Sequence, residues 1–504
     1  MYNDNDEPKT LYDEYREAHK TPTFTDVEDM RLKQQSDNVK SEGGEKYYPL
    51  DDTGNANRFI DRYGEEFRYN VNDKVWMIWN GVKWARDDTQ QIRCYADKLI
   101  EYLRYKLRGM EKRDDNYMTE FYKNIKRLSN TNGKDAMLKE VVHLGKTAVK
   151  NCDFDNDKEL LNCENGVVDL RTGKMKPHSK EMMMSKSTGL NIDMDNEPTR
   201  WVQYLNEVFQ GDQQLIEYVQ CALGYSLTGY NIEQCMFQLV GVGSNGKSVF
   251  IEVLQNILGD YSVEVDKDTL LAKSYNTGGN ASPDIAKIDG ARLLTANEPN
   301  DGDRINETFI KCLVGGDKII ARKLYGNQFE FKPMCKLWIS TNYKLTIRGR
   351  DDGIWRRQRI IPFNRKFEGS EVDKFLPEKL KKEYPQILGW CVKGAMKWFK
   401  GSEMKAPVII EDAVKEYRSE MDVVSSFLRD NVNIVPNGRE KAGDVYRAYA
   451  QWCRLGNEFQ MSQSKFGKIM AEKYPKKMIA GYAYYVGMVL KSNDHAYIFT
   501  RENL

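Results

Sequence analysis

The stretch GVGSNGKSVF, residues 241–250, limits what this chain can fold into more than any other part of it. It sets Gly241, Gly246, Lys247 and Ser248 in the four fixed places of the pattern G-x-x-x-x-G-K-[ST]. The apolar run Met236–Val240 just before it is the length of a buried strand, and Val249, Phe250, Val253, Leu254 and Ile257 after it repeat at helical spacing. Strand, glycine-rich turn and helix is the context that a polyphosphate needs. Backbone N–H groups and the positive helix end face the anion, Lys247 reaches the terminal phosphates, and the Ser248 hydroxyl joins the shell of a Mg²⁺ ion. Gly241, Gly243, Asn245, Gly246, Lys247, Ser248 and Val249 are therefore expected to surround a bound nucleotide.

Such a site also needs an acid that positions water and Mg²⁺. Residues 291–300, ARLLTANEPN, supply a short apolar strand running into Asn297 and Glu298. Glu298 is the expected carboxylate for the attacking water and the metal, whereas Asn297 stands where a second acid often sits. A later strand, MCKLWISTN, ends in Asn342, placed to touch the γ-phosphate or its water. Phosphate loop, acid-ended strand and polar-ended strand follow the order of a doubly wound ATPase core, whose ligands lie at strand C-termini.

The run IRGRDDGIWRRQRIIPF then offers Arg348, Arg350, Arg356, Arg357 and Arg359. An arginine presented to a neighbouring subunit's γ-phosphate stabilises transition-state charge, and Arg356 or Arg357 is expected in that role. Between the two strands, residues 318–332 read as a hairpin turning at 325–327, with Arg322, Lys323 and Tyr325 at its tip. Cations beside an aromatic suit a nucleic-acid backbone and a stacked base.

A chain of 504 residues exceeds one ordinary core and suggests several modules. Its net charge of +1 with 30% charged residues leaves any nucleic-acid contact to local basic patches. Nine cysteines without a C-x-x-C pair, and four histidines (His19, His143, His178, His495) away from them, argue against zinc and for free thiols. With no apolar N-terminal stretch and no 18-residue span, the chain is expected to be cytoplasmic, with no membrane contact.

Residues 1–43 are polar and charged and are expected to be a disordered tail. Residues 44–200 read as a small α/β domain: a loop and then a helix in DDTGNANRFIDRYGEEFRY, two aromatic strands around Asn80-Gly81, helical text to Val149, then strand and turn text in LLNCENGVVDLRTG. Residues 201–375 form the nucleotide-binding part. Residues 376–504 read as a helical connector followed by two helices and strands, the second helix opening on a serine cap and carrying Lys465, Lys468 and Lys473. Helix, turn, helix and β-wing is the expected pattern there, with DNA reading and protein contact both open as its role.

The segments LLNCENGVVDLRTG, GYSLTG, GVGSNGKSVF, ARLLTANEP, IKCLVGGDKIIARKLY, LWISTNY and IWRRQRIIPF, in that order, resemble the superfamily III helicases, a branch of the AAA+ ATPases. In particular they resemble the phage and plasmid primase-helicase family related to the poxvirus primase-helicase. The resemblance covers about residues 47–370. It implies an α/β AAA+ P-loop core in a hexameric ring that threads single-stranded DNA and hydrolyses ATP with Mg²⁺ at subunit interfaces. Lys247 and Ser248 would be the Walker A pair, Glu298 the Walker B acid, Asn342 the sensor, Arg356 or Arg357 the finger, and Arg322 with Lys323 the hairpin facing the channel.

The expected activity is ATP-dependent separation of forked DNA in the replication of a mobile element, with origin binding as a further role and a separate primase or polymerase as a partner. An ATP-switched initiator or scaffold without unwinding is the alternative that Asn297 favours, and primer synthesis is a second. Many relatives carry an N-terminal primase domain with paired acids. The D-x-D pairs here, Asp153/Asp155 and Asp193/Asp195, lie in connecting text and read as turn residues. The chain is not expected to make primers itself.

Overall fold

The computed structural model describes residues 46–109, 115–145, 147–272, 283–297, 303–324, 326–347, 352–401, 404–456 and 460–491. The expected tail, Glu298, Tyr325, Arg348 and Arg350 lie outside the described residues. The described residues fall into two compact units: those up to 157 together with 176–187, and those of 158–175 together with those from 188 onward.

In the first unit, helix α1 (Asp52–Tyr63) begins where the Asp51 carboxylate accepts from the Gly54 N–H. Text that reads as loop, DTGNAN, is thus the first turn of a capped helix. The following EEFRY text leaves the helix instead of extending it: β1 (Phe67–Asn70) pairs antiparallel with β2 (Val75–Trp79), and β2 with β3 (Trp84–Arg86). Gly81, at φ +95°, and Asn80, whose side chain accepts from the N–H groups of Val82 and Lys83, make the expected turn between β2 and β3. Helices α2 (Gln91–Gly109), α3 (Asp115–Leu128) and α4 (Thr131–Val141) cover the sheet, burying Phe59, Phe67, Ile78, Leu99, Phe121 and Met137 together. Helical text ends at Val141, and Ala148–Val149 forms a short strand, β4, parallel to β1. Asp153 caps the Lys150 N–H, and Asp155 accepts from Ser185 and Lys186, so this D-x-D pair serves turns.

The second unit starts earlier than the text boundary near 200. The hairpin of β5 (Leu160–Cys163) and β6 (Gly166–Asp169) packs Leu161, Cys163 and Val168 into the same core as helices α5 (Thr199–Val208) and α6 (Gln213–Leu227). Asp193 accepts from the Asp195 and Asn196 N–H groups, again a turn. The centre is a five-stranded, all-parallel sheet built from β7 (Met236–Val240), β8 (Ser262–Glu264), β9 (Leu293–Asn297), β12 (Lys336–Thr341) and β13 (Gln358–Pro362), in the order β13-β7-β12-β9-β8. Its apolar strands are buried on both faces, as a parallel sheet requires. Phe237 stacks on Trp338 at 4.2 Å between centroids, and helix α7 (Lys247–Leu258) lays Phe250 against Trp338. The remaining strands of this region, β10 (Ile319–Arg322) and β11 (Gln328–Phe331), follow helix α8 (Glu307–Gly315) as an antiparallel hairpin beside the sheet.

Helix α9 (Tyr384–Phe399) belongs to this core although its sequence lies past 375. It crosses α6 where a Cβ on Gly224 would stand 2.0 Å from the Ala395 nitrogen and one on Gly394 would stand 2.1 Å from the Gln220 carbonyl oxygen, so only glycine allows the approach. Helix α10 (Val408–Glu420) buries Tyr417 against Trp355, its hydroxyl donating to the Leu345 carbonyl. The last part runs α11 (Val423–Asn431), β14 (Val432–Lys441), α12 (Ala442–Leu455), α13 (Gln463–Lys473), β15 (Lys476–Ile479) and β16 (Tyr482–Leu490). Its antiparallel sheet has the order β14-β16-β15, and its own core gathers Phe427, Tyr449, Phe466 and Tyr485. Ser462 caps α13 as its sequence suggests.

Candidate nucleotide site

The site is built at the C-terminal ends of β7 and β12, which lie side by side in the sheet. Strand β7 delivers residues 241–246, and the turn closes because Gly246 takes φ +91°, a left-handed conformation that a side chain would strain. Gly241 is fixed for another reason: a Cβ there would stand 2.2 Å from the Phe363 carbonyl oxygen and 2.4 Å from Asn245 Nδ2. Gly243 has open space around it, and Ser248 is exposed in the first turn of α7, with half-buried Val249 after it.

Lys247 is buried, at 5% exposure. Its ammonium donates to Gly241 O at 2.6 Å, to Asn245 Oδ1 at 3.0 Å and to Asn342 Oδ1 at 2.9 Å. Two residues singled out 95 positions apart in sequence, the loop lysine and the strand-end asparagine, are therefore in direct contact. A cation held by neutral oxygens at the positive end of a helix is a fit for the terminal phosphates of a nucleotide. Strand β9, next to β12 and parallel to it, ends at Asn297 on the same C-terminal side of the sheet. Ser248 is the described residue that could enter a Mg²⁺ shell, and no cluster of metal-ligating side chains occurs among the described residues.

Three features escaped sequence reading. Tyr204, on α5, donates from its phenol to the Gly246 carbonyl at 2.8 Å, and burial pushes its pKa up, keeping it a donor. Asn245 donates to Phe363 O at 3.1 Å while accepting from Lys247, tying the phosphate loop to the exit of β13. The strap that follows β13 returns over the loop, where the Phe367 N–H donates to Ser244 O at 2.9 Å. A tyrosine 42 residues before its partner, inside an apolar helix, gives no motif by which to find it.

The arginines take a different place. Strand β13 runs parallel to β7 with Gln358 opposite Met236 and Pro362 opposite Val240, so Arg356 and Arg357 precede its N-terminal end. At about 3.3 Å per residue, Arg357 starts about 16 Å behind the level of Val240, beyond the reach of its side chain to this chain's own Lys247. Arg356 is exposed and Arg357 half-buried, both donating to Gln234 Oε1 at 3.4 and 3.3 Å. Arg322 and Lys323 lie at the tip of the β10–β11 hairpin, where Arg322 donates to Gly326 O at 3.2 Å and the Lys323 amine sits 5.8 Å from the Phe329 ring centre.

Residues 56–210 match the family described as D5 N terminal like, and residues 239–357 match a family of unknown function (DUF5906). A protein of Acanthamoeba polyphaga mimivirus, named as a candidate helicase, is 31% identical over 440 residues, 79% of this chain and 45% of its own length. The chain is its homologue. A candidate helicase of Frog virus 3 is 26% identical over 59% of this chain and 32% of its own, and a candidate primase of African swine fever virus is 23% identical over 74% and 42%. The likeness to primase-helicases read from the motifs is borne out. The chain spans between about a third and a half of the length of these curated relatives. Among solved structures, the apo C-terminal region of NrS-1 matches with a TM-score of 0.47 and 10% identity, covering 84% of this chain and 96% of that one. Among the described residues no helix is long and apolar enough to cross a membrane.

Proposed function

We propose that this chain is an ATP-driven DNA helicase of a replicating element, and that its second unit is an AAA+ core of the superfamily III type. The observation that carries the reading is the Lys247–Asn342 contact at the C-terminal ends of neighbouring parallel strands, in a sheet of order β13-β7-β12-β9-β8. Such a site binds the triphosphate of ATP through the loop N–H groups and Lys247, holds Mg²⁺ through Ser248, and uses Asn342 to feel the γ-phosphate. Glu298, following Asn297, orients the attacking water.

Arg356 or Arg357 completes the site of a neighbouring subunit, since neither reaches its own. That need favours a ring, a hexamer, whose hairpin tip touches single-stranded DNA in the channel through Arg322 and Lys323, with Tyr325 proposed as a further DNA contact. The α-β-α-α-β-β order of the last part is that of a winged helix, and α13, with exposed Lys465 and Lys468, suits duplex DNA at an origin. A separate primase or polymerase would supply primers. A second reading, an ATP-switched initiator without processive unwinding, draws on Asn297 in place of a second acid.

The test is separation of a forked DNA duplex by the purified chain with ATP and Mg²⁺, with Lys247→Ala as control. Unwinding by the parent alone is expected. ATP turnover without unwinding would move the initiator reading ahead.

A further inference from the structure

The geometry points to Arg365 as the platform on which the nucleobase of the bound nucleotide stacks, with Phe367 backing it. The inference rests on the nucleotide site proposed above and adds what holds the end of the ligand away from the phosphates. Lys247 and Asn342 fix where the γ-phosphate lies: toward β12, on one side of β7. The ribose and base sit at the other end of the triphosphate and so leave toward the other neighbour of β7, which is β13. The strap after β13 occupies that side and is joined to the phosphate loop twice, by Asn245 Nδ2 to Phe363 O at 3.1 Å and by the Phe367 N–H to Ser244 O at 2.9 Å.

Arg365 is built as a flat surface. Its guanidinium edge is occupied: Nη1 donates to Glu207 O at the end of α5 at 3.3 Å, and Nη2 donates to Glu371 Oε1 at 3.4 Å. One face rests over the Phe367 ring, 4.7 Å from its centre. Phe367 is itself half-buried against the core of the unit. With edge and one face engaged and the side chain 33% exposed, the opposite face is what Arg365 presents to a ligand. A planar cation held by its edge loses little freedom on stacking a base, and guanidinium planes stack bases in other recognition modules.

Binding of ATP and of inorganic tripolyphosphate, measured by calorimetry with Mg²⁺ on the full chain, separates this role from charge attraction. Arg365→Lys keeps the charge and loses the plane; Phe367→Leu keeps apolar packing and removes the backing ring. Arg365→Lys is expected to weaken ATP about three- to thirtyfold, with Phe367→Leu changing it in the same direction, while tripolyphosphate stays within about twofold of the parent. Unchanged ATP affinity in Arg365→Lys, or equal loss for both ligands in Arg365→Ala, overturns the platform. Failure of the parent to bind either ligand would sink the nucleotide site and the platform with it, whereas parent binding of tripolyphosphate with no preference for ATP would sink the platform alone.

Discussion

Mixing two inactive variants tests the geometry of the arginines most directly. In one, Lys247→Ala removes the ammonium that faces Asn342; in the other, Arg356 and Arg357 are both replaced by alanine. Arg357 starts about 16 Å behind Val240, and an arginine side chain spans about 7 Å, so no rotamer brings it to its own phosphate loop. If the finger acts across a head-to-tail interface, a site works when an intact loop meets an intact finger of the neighbour. At equal mixing that holds for about a quarter of interfaces whatever the ring size, because the two choices are independent. DNA-stimulated phosphate release should therefore climb from near zero to about a quarter of the parent rate, against a finger contribution of about 10³ to 10⁵ in other NTPases. No recovery at any ratio, with subunit exchange verified by a labelled chain, would refute action in trans.

Lys247→Ala should stay folded, with unchanged far-UV circular dichroism, and lose ATP turnover by about a hundredfold or more; near-parent turnover would remove the phosphate-loop assignment. Gly241→Ala drives a methyl into the Phe363 carbonyl at 2.2 Å, so the rise in Tm caused by ATP and Mg²⁺ should disappear, and an undiminished rise would show the loop to be pliant. Lys323→Ala should reduce DNA-stimulated turnover and spare the basal rate, whereas equal loss in both would place the hairpin tip away from DNA. Burial pushes the thiols of Cys163, Cys235 and Cys335 up to about 12 and Cys221 to about 11, and holds the Lys336 ammonium well below its usual range. Unfolded thiols ionise above about pH 8.5 while the folded ones stay protonated, so stability falls as pH rises past that point; Lys336 acts with the opposite sign but is outnumbered. A Tm that rises between pH 8.5 and 10 would contradict this burial.

Residues 241–258 show how much a sequence fixes by itself. The glycine needed at positive φ, the lysine at the first helical position and the apolar strand before it are local demands, and each leaves a residue-level mark. The hairpin turn at Asn80-Gly81 and the Ser462 cap are legible for the same reason. The order of the strands leading to Asn297 and Asn342 is legible too, though only as an order. What the text misassigned was decided by context: DTGNAN looks like a loop until the Asp51 carboxylate caps it. Likewise, the segments at 160–170 and 384–399 join the second unit because apolar faces distant in sequence close on one another there.

Only the tertiary structure decided which side chains meet. Packing β7 beside β12 brought Asn342 onto Lys247, packing β13 on the other side put Arg356 and Arg357 at the wrong end of the sheet for their own site, and the return of the strap set Phe367 against Ser244. Tyr204 under Gly246 belongs to the same class. Sequence determines the conformations that single residues and their near neighbours prefer, because those energies are local; contacts across tens of residues depend on strand order and register, which emerge when buried apolar surface outweighs the entropy of closing the loops between them.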